Sequence, residues 1–334
     1  MVVDKRHPVA QTNGGFGITA FMQELMCYVG QDRVFKDASQ LLKRLTGVEV
    51  NAKQIERVCH FYGQQLESTL YGKDYVSPLA VEIQKQKATD TSKRYYILMD
   101  GSMVFTREEQ WKEIKLARIF REDKRVDRTG VNRNMITSSQ FVTHLGGHEQ
   151  FWDKLDCHIA EIPSKRRVFL CDGAGWIWNR VEDSYPESIQ IVDFFHAKEH
   201  LSDAVDPIFG QQKAQKHAWL VLQENLLFKD DVRAVIKELS WLAKKYPKQA
   251  GVLKKEVNYF TTHTSRMKYG SFRKQNLLIG SGPIESANRQ VIQQRLKLSG
   301  QRWTKSGLQY MANLRSTYLS GQWKLVQELI NNPQ

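Results

Sequence analysis

Residues 166–181 read RRVFLCDGAGWIWNRV, a short apolar run that ends at Asp172 and is followed by a glycine. Residues 94–102, RYYILMDGS, repeat this pattern, with Asp100 standing before the glycine. Short runs of β-branched and aromatic residues bounded by such turn residues predict strands. A carboxylate at the carboxyl end of a strand projects into the crevice where α/β folds bind ligands, and the glycine lets substrate approach closely. We therefore predict that Asp100 and Asp172 end two strands at a functional cleft.

The segments around these runs predict a mixed α/β sheet. Residues 103–106 and 113–121, MVFT and EIKLARIFR, are strand-like, and residues 189–193, IQIVD, form another apolar run that ends at an aspartate. This run leads into a helix that is expected to begin near His196. Strands that are followed by helices in this order indicate the α/β class. The tryptophans at positions 176 and 178 alternate with isoleucine and are interpreted as core residues.

Helical patterns dominate two other parts of the chain. Residues 17–72 and 198–260 carry apolar residues three and four positions apart, which predicts amphipathic helices. Residues 73–93 are polar and lysine-rich, a composition that is typical of a linker.

Residues 36–63 predict two short helices around a tight break. Asn51 and Gln54 stand where a capping box would begin the second helix. In a helix-turn-helix, Lys53, Gln54 and Arg57 would lie near the start of the DNA-reading helix. An ordinary helical hairpin explains the same pattern equally well, and this segment is not strongly basic.

The charge of the chain is distributed unevenly. The 334 residues include 49 Lys and Arg and 36 Asp and Glu, a net charge of +13. Residues 228–334 contain 19 of the basic and 6 of the acidic residues, so the whole excess of positive charge lies there. Such asymmetry indicates a polyanionic partner, and a solvated basic face is the alternative interpretation.

The composition also bears on the compartment. No apolar run approaches about 18 residues, so neither a transmembrane helix nor a membrane partner is expected. The N-terminal residues lack the apolar segment of a secretory signal. The four cysteines show no CxxC spacing, which favours reduced thiols in an intracellular protein. We expect a cytoplasmic protein associated with the nucleoid.

Three carboxylates suggest phosphodiester chemistry: Asp100, Asp172 and Glu285, the last at the start of a helix predicted over residues 284–297. Cleavage or transesterification of a phosphodiester must stabilise charge on the attacking and leaving oxygens. Two divalent cations about 3.5–4 Å apart do this, and Mg²⁺ prefers carboxylate oxygens. Because the three acids are far apart in the sequence, only tertiary folding could bring them together.

Taken together, these motifs resemble the DDE transposases of bacterial insertion sequences. The matching stretches are MDGSMVF, FLCDGAGWIWN, DFFHAKEHL and GSGPIESANRQVIQQRLKLSGQRW. They are most similar to the Kra-type (ISKra) family, which is related to the Mutator-like superfamily, over about residues 90–320. The N-terminal helices are also similar to the helix-turn-helix region of that family.

The resemblance implies an RNase H-like fold, in which a mixed α/β sheet is interrupted by an all-helical insertion and preceded by a helical, helix-turn-helix-like domain. It divides the chain into an N-terminal helical region with a linker, the first part of the catalytic core, the helical insertion, and a glutamate helix with a basic tail. These four segments are residues 1–90, 91–197, 198–275 and 276–334.

The resemblance also implies an activity and its residues. Asp100, Asp172 and Glu285 match the three catalytic, metal-binding acids, while Asp193 and His196 match an Asp-x-x-His motif that places His196 in the active site. The implied reaction is metal-dependent cleavage at element ends followed by strand transfer into target DNA. It uses two Mg²⁺ ions, or Mn²⁺ as a substitute, in each active site. The implied partners are terminal inverted repeats, target DNA and further copies of the chain in a dimer or higher oligomer.

Basic and aromatic residues that follow Glu285 are expected to contact DNA, because cations bind phosphates and aromatic rings stack on displaced bases. These residues are Arg295, Lys297, Arg302, Trp303 and Lys305. For Trp303, a core position under the C-terminal helix is the alternative. The alternative functions are an RNase H-like nuclease or resolvase and a non-catalytic, transposase-derived DNA-binding regulator.

Overall fold

The computed structural model describes residues 15–72, 75–86, 93–127 and 134–332. The chain forms two compact units, and the first and last of the four segments expected from the sequence fall largely in the same one. Unit 1 comprises Met1–Lys93, Asp100–Pro163 and Ile284–Gln334, and unit 2 comprises Arg94–Met99 and Ser164–Pro283.

The described residues contain seven strands, most of which form one mixed sheet. The strands are β1 (Tyr95–Thr106), β2 (Gln110–Arg121), β3 (Arg125–Asp127), β4 (Asn134–Ile136), β5 (Gln140–Leu145), β6 (Arg167–Cys171) and β7 (Ile189–Val192). The five-stranded sheet has the order β5-β2-β1-β6-β7, and β3 pairs with β4 separately. Neighbours β1 and β6 are parallel, as are β6 and β7, whereas β2 and β5 are antiparallel. The predicted mixed α/β class is therefore confirmed.

The parallel strands end at two of the predicted aspartates. Residues Tyr95–Ile97 of β1 pair with Arg167–Phe169 of β6. Every residue of β6 is buried, as is usual for a parallel strand that is covered on both faces. Asp172 and Asp193 directly follow β6 and β7, so the prediction that each of them follows a strand is confirmed.

Asp100 lies within β1 and not at its end, which corrects the sequence-based prediction. The strand continues beyond Asp100 to Thr106. Gly101 lies within the strand and not in a turn, and it leaves room for a side chain of the next strand, because a Cβ atom there would overlap the carboxylate of Glu113 on β2. At both Asp-Gly pairs the glycine leaves room for a distant side chain, Glu113 at Gly101 and Tyr259 at Gly173.

Fifteen α-helices complete the described part of the chain. They are α1 (Ala20–Gly30), α2 (Phe35–Thr46), α3 (Ala52–Leu70), α4 (Pro78–Gln86), α5 (His148–Ile159), α6 (Gly175–Ser184), α7 (Phe194–Phe209), α8 (Lys213–Phe228), α9 (Val232–Lys245), α10 (Ala250–Thr262), α11 (Tyr269–Lys274), α12 (Gly282–Ala287), α13 (Gln294–Leu296), α14 (Lys305–Leu319) and α15 (Trp323–Asn331). A π-helical segment, Asn288–Gln293, joins α12 to α13.

Most of these helices lie where the apolar periodicity predicts them. Helices α1–α3 occupy the N-terminal stretch, and α7–α11 occupy the stretch after β7, beginning at Phe194. The polar segment 73–93 contains α4 and is therefore not wholly a linker, while its residues 73–74 and 87–92 lie outside the described residues. None of the helices described here combines the length and apolarity needed to cross a membrane.

The predicted break between α2 and α3 is confirmed, with its caps. Gly47 ends α2 in the left-handed conformation, with φ of 73°, which glycine adopts readily. The Asn51 side chain accepts the backbone N–H of Gln54 at 2.8 Å, and the Gln54 side chain accepts that of Asn51 at 3.2 Å. This reciprocal capping box occupies the Gln54 side chain that was expected to contact DNA.

Trp303 and Arg295 lie inside unit 1, which corrects their assignment to a DNA-binding surface. Trp303 is only 8% exposed, and its indole N–H donates to the Leu296 carbonyl oxygen at 3.0 Å. Its own carbonyl oxygen accepts the backbone N–H of Arg107 at 2.8 Å. Arg295 is 1% exposed. Both side chains are therefore part of the packing of unit 1 and not of its outer surface, and the core interpretation of Trp303 applies.

Replacing Trp303 by alanine should lower the free energy of unfolding by about 3–5 kcal/mol, because a buried indole leaves a large cavity. Urea unfolding of the two proteins would measure this difference. Trp111→Ala is the matched control, since Trp111 is 58% exposed, and its effect should be about 0.5 kcal/mol or less. Equal effects of the two substitutions would contradict the core position of Trp303.

Candidate active site

Asp172 stands in the turn between β6 and α6 in unit 2. Its side-chain Oδ1 accepts the backbone N–H of Ala174 at 3.0 Å, and its carbonyl oxygen accepts the indole N–H of Trp178 at 2.6 Å. Trp178 is buried, as the sequence predicts for a core residue, whereas Trp176 is half-buried. The turn therefore holds the half-buried Asp172 carboxylate at the end of the strand.

Asp193 is a fully buried carboxylate that organises the start of α7. It accepts the backbone N–H groups of Phe195 and His196 at 3.1 and 3.3 Å. It also accepts the Ser281 hydroxyl at 2.8 Å and the Ser281 backbone N–H at 3.1 Å. The Nδ1 atom of His196 lies 2.6 Å from its Oδ2. Because these hydrogen bonds occupy both of its carboxylate oxygens, Asp193 is a positioning residue. The sequence analysis did not identify Ser281 as a partner of this carboxylate.

His196 carries a positive charge at neutral pH in this setting. The hydrogen bond with Asp193 raises the pKa of His196 to about 9, against the effect of burial, and the charge of Asp172 adds to the rise. Burial raises the pKa of Asp193, but hydrogen bonds from His196 and Ser281 outweigh it and leave that pKa below its usual value. The imidazolium is 43% exposed and close enough to Asp172 for their charges to interact.

Tyr259 on α10 is a further polar group beside Asp172 that the sequence analysis missed. Its ring packs so tightly on Gly173 that a Cβ atom there would overlap it, and it stacks on His200 with ring centroids 3.6 Å apart. His200 in turn pairs with the buried Glu256, with Nδ1 and Oε2 2.6 Å apart. The Tyr259 hydroxyl has no hydrogen-bond partner in the described part of the chain. Burial and the nearby carboxylates raise the pKa of Tyr259, so the phenol stays protonated and can donate to a ligand.

A cavity of about 290 Å³ lies in unit 2 next to this turn. One of the residues that line the cavity is His263. Burial lowers the pKa of His263 to about 4, and its imidazole is therefore neutral at pH 7. The side chains that line the cavity are mainly polar. They belong to Trp178, Asn179, Glu182, Lys255, Asn258, Tyr259, Thr262, His263 and Arg266, with Gly173 and Gly175 contributing backbone.

Asp100 and Glu285 belong to unit 1, where Asp100 bonds to Asn288 in the segment that follows Glu285. The Asp100 carboxylate accepts the Gly101 backbone N–H at 2.7 Å and a side-chain N–H of Asn288, although 188 residues separate Asp100 from Asn288 in the chain. Glu285 is exposed and lies three residues before Asn288, on the same face of the helix. The side-chain oxygen of Asn288 is buried and has no hydrogen-bond partner among the residues described. The π-helical segment begins at Asn288, and such segments are frequent at functional sites.

The predicted site residues therefore fall into two groups, one in each unit. Unit 1 holds Asp100, bonded to Asn288, and Glu285, whereas unit 2 holds Asp172 and His196, whose charges interact. In the described ranges, no group of three or more His, Cys, Asp or Glu side chains lies in a metal-binding arrangement. The acids that were predicted to hold metal supply carboxylate oxygens, and Asn288 adds a neutral oxygen. As residue types, carboxylates and amides provide oxygen ligands that suit Mg²⁺ or Mn²⁺ and do not suit metals that require thiolate or imidazole.

The remaining candidates for DNA contacts differ in how accessible they are. Lys53 and Arg57 on α3 are exposed, although Lys53 pairs with Glu56 at 2.8 Å. Lys297 and Arg302 are exposed as well. Lys305 is half-buried and forms an ion pair with Glu109.

The charged His196 should stabilise the fold in a pH-dependent way. Its pKa is about 9 in the folded chain and about 6.5 in the unfolded chain, so its contribution is full below about pH 6.5 and is lost as the pH rises through about 9. His196→Gln should therefore lower the free energy of unfolding more at about pH 6 than at about pH 9.5, in urea titrations. His217→Gln, at an exposed histidine of α8, is the control. A loss that is the same at both pH values would contradict the charge assignment.

Comparison with known proteins places the chain in a family. No curated protein matches it. Residues 36–330 match the model of the family described as "Uncharacterised protein family (UPF0236)". Since this match spans most of the 334 residues, the protein belongs to the UPF0236 family.

Proposed function

We propose that this protein is a DDE-class DNA transposase that cleaves phosphodiester bonds at element ends and transfers the freed strand into target DNA. The observation that carries the proposal is the hydrogen bond between Asp100 and Asn288. It connects the proposed first acid to the helix of the proposed third acid, Glu285, across most of the chain.

The sheet supports the same proposal. Asp100 and Asp172 belong to, or directly follow, strands that are neighbours in the parallel part of the mixed sheet. Helices α7–α11 lie between the second and third acids in the chain, where the resemblance implies a helical insertion. We therefore propose an RNase H-like core, with the helical stretch as its insertion.

The residues of the chain have distinct roles in this proposal. Asp100, Asp172 and Glu285 would hold the two Mg²⁺ ions, with the Asn288 side-chain oxygen as an additional ligand. When bound, the two ions would stabilise the charge on the attacking and leaving oxygens. His196, which is charged at neutral pH, would form a charge-assisted hydrogen bond to a phosphate oxygen. The Tyr259 phenol would donate a neutral hydrogen bond to the same phosphate group.

The remaining parts of the chain would bind and position DNA. Helices α2 and α3 would form a helix-turn-helix that reads the terminal repeats, with Lys53 and Arg57 exposed for phosphate contacts. The basic excess in residues 228–334 would supply contacts that do not depend on sequence. Transposition requires that two element ends be held together, so a dimer or higher oligomer bound to nucleoid DNA is part of the proposal.

Replacing any one of the three acids should abolish DNA cleavage while DNA binding stays within about threefold. Asp100→Asn, Asp172→Asn and Glu285→Gln should each lower the cleavage rate by at least about a hundredfold, because groups that act as a unit lose most of their effect together. Gel assays with labelled element ends measure cleavage, joining and binding separately. Asp203→Asn changes an exposed carboxylate on α7 and serves as the control. Near-normal cleavage by one acid variant would remove that residue from the site, and cleavage without joining would favour a nuclease.

Cleavage should require Mg²⁺ or Mn²⁺, whereas Ca²⁺ should support DNA binding but not cleavage. The reason is that the smaller ions hold near-octahedral geometry with oxygen ligands, and Ca²⁺ is larger and less regular in its coordination. The assay is the same gel separation after chelation and addition of each metal in turn. Full cleavage in the presence of excess chelator would contradict the metal-dependent reaction.

A further inference from the structure

Arg295 is a buried cation in unit 1 whose surroundings leave one donor atom open. The side chain is 1% exposed, and its Nε atom donates to the Gly30 carbonyl oxygen at 3.0 Å. Its guanidinium carbon lies 4.8 Å from the ring centroid of Phe35 and 5.0 Å from that of Trp303. The Nη2 atom has no hydrogen-bond partner within the described ranges. A buried charge with an open donor is unfavourable unless a ligand supplies an acceptor.

This arginine lines a cavity of about 250 Å³, together with two exposed arginines, Arg107 and Arg302. Arg107 is fixed in place because its Nε atom donates to the Arg302 carbonyl oxygen at 3.1 Å and its backbone N–H donates to Trp303. The two Nη atoms of the Arg107 guanidinium carry four further N–H groups that can donate to a ligand. Three arginines from separate parts of the chain thus line one cavity.

The net charge at the cavity is positive. Glu56 is the carboxylate among the lining residues, and its side chain pairs with Lys53 at 2.8 Å. With Lys53 balancing Glu56, the charges of Arg107, Arg295 and Arg302 are not compensated by the lining residues. The cavity therefore favours an anion.

The shape and chemistry of the cavity narrow the class of anion. A volume of about 250 Å³ is below the range of about 300–1,000 Å³ that drug-sized ligands occupy, so the cavity accepts a small group. Arginine forks match phosphate and carboxylate oxygens. Three forks exceed what the two oxygens of a carboxylate can use, whereas a phosphate group offers more acceptors. The half-buried ring of Phe35 lies at the same cavity and can contact an adjoining sugar or base.

We propose that this cavity binds the phosphate group of a nucleotide, either free or within DNA. Arg295 holds the phosphate from the buried side, and Arg107 and Arg302 hold it from the exposed side. The inference does not rest on the proposed strand transfer, because the site can bind a phosphate whether or not the acids cleave DNA.

Calorimetric titration of the full chain with deoxyadenosine 5′-monophosphate (dAMP) tests the site. The nucleotide should bind, inorganic phosphate should compete with it, and deoxyadenosine, which lacks the phosphate, should not bind measurably. Arg302→Gln and Arg107→Gln should each weaken dAMP binding by about tenfold or more, since each removes charge-assisted hydrogen bonds. Arg44→Gln, at an exposed arginine of α2 outside the cavity, should leave it unchanged. No binding to the unaltered chain, or equal binding by all three variants, would overturn the proposal.

Arg295→Met distinguishes a ligand-binding arginine from a structural one. Methionine keeps much of the apolar volume between the two rings and removes the buried charge together with its desolvation penalty. The variant should therefore lose dAMP binding while its melting temperature stays close to that of the unaltered chain. A large fall in melting temperature with unchanged dAMP affinity would overturn the proposal. Should this variant not fold, the two exposed-arginine variants still decide the question.

Competition identifies the source of the phosphate. A single-stranded oligonucleotide that displaces dAMP from the unaltered chain, but not from Arg302→Gln, assigns the cavity to a phosphate of DNA. An oligonucleotide that binds without displacing dAMP assigns the cavity to a free nucleotide. Both results support a phosphate-binding site in this cavity. An Asp172→Asn variant that binds dAMP normally but does not cleave DNA separates this site from the proposed catalytic site.

Discussion

The carboxylate of Asp193 is completely buried, and a buried charge destabilises a fold unless hydrogen bonds compensate it. The start of α7, the imidazole of His196 and the backbone and hydroxyl of Ser281 supply those bonds. A backbone hydrogen bond of 2.9 Å from Phe194 to Ile279 strengthens the same junction. Because Ser281 lies just before α12, the charge of one carboxylate fixes the end of a strand, the start of a helix and the chain that leads to Glu285. The carboxylate of Asp193 also raises the pKa of His196 and so keeps its imidazole protonated.

The parts of the fold that are set by neighbouring residues could be predicted from the sequence. The apolar runs before Asp172 and Asp193 predict β6 and β7 because each is short and bounded by residues that end strands. The capping box of Asn51 and Gln54 follows from residue types three positions apart. Periodicity likewise predicts the helices on either side of the sheet residues, since an amphipathic helix carries its pattern in its own sequence.

The parts that depend on distant residues could not be predicted in this way. Gly101 has the appearance of a turn residue, yet its role is to make room for Glu113 on the next strand. Arg295 and Trp303 have the composition of a nucleic-acid surface, and only their packing against Phe35 shows that they lie inside. Tyr259 and Asn288 stand in ordinary helical patterns, and their contacts near Asp172 and Asp100 arise from tertiary folding alone.

The π-helical segment between Glu285 and Arg295 has a consequence for how the chain tolerates insertions and deletions. A π turn holds one residue more than an α turn, because its hydrogen bonds span five residues. Deleting one residue there would restore an α-helix and leave the residues that follow at nearly the same orientation relative to Glu285, because the π turn accommodates the extra residue. Arg295 would then keep its position against Phe35 and Trp303. The same deletion within a regular α-helix would rotate everything that follows by about 100°. The π segment is therefore the part of this helix that can lose a residue while the acid at its beginning stays aligned with the buried cation at its end.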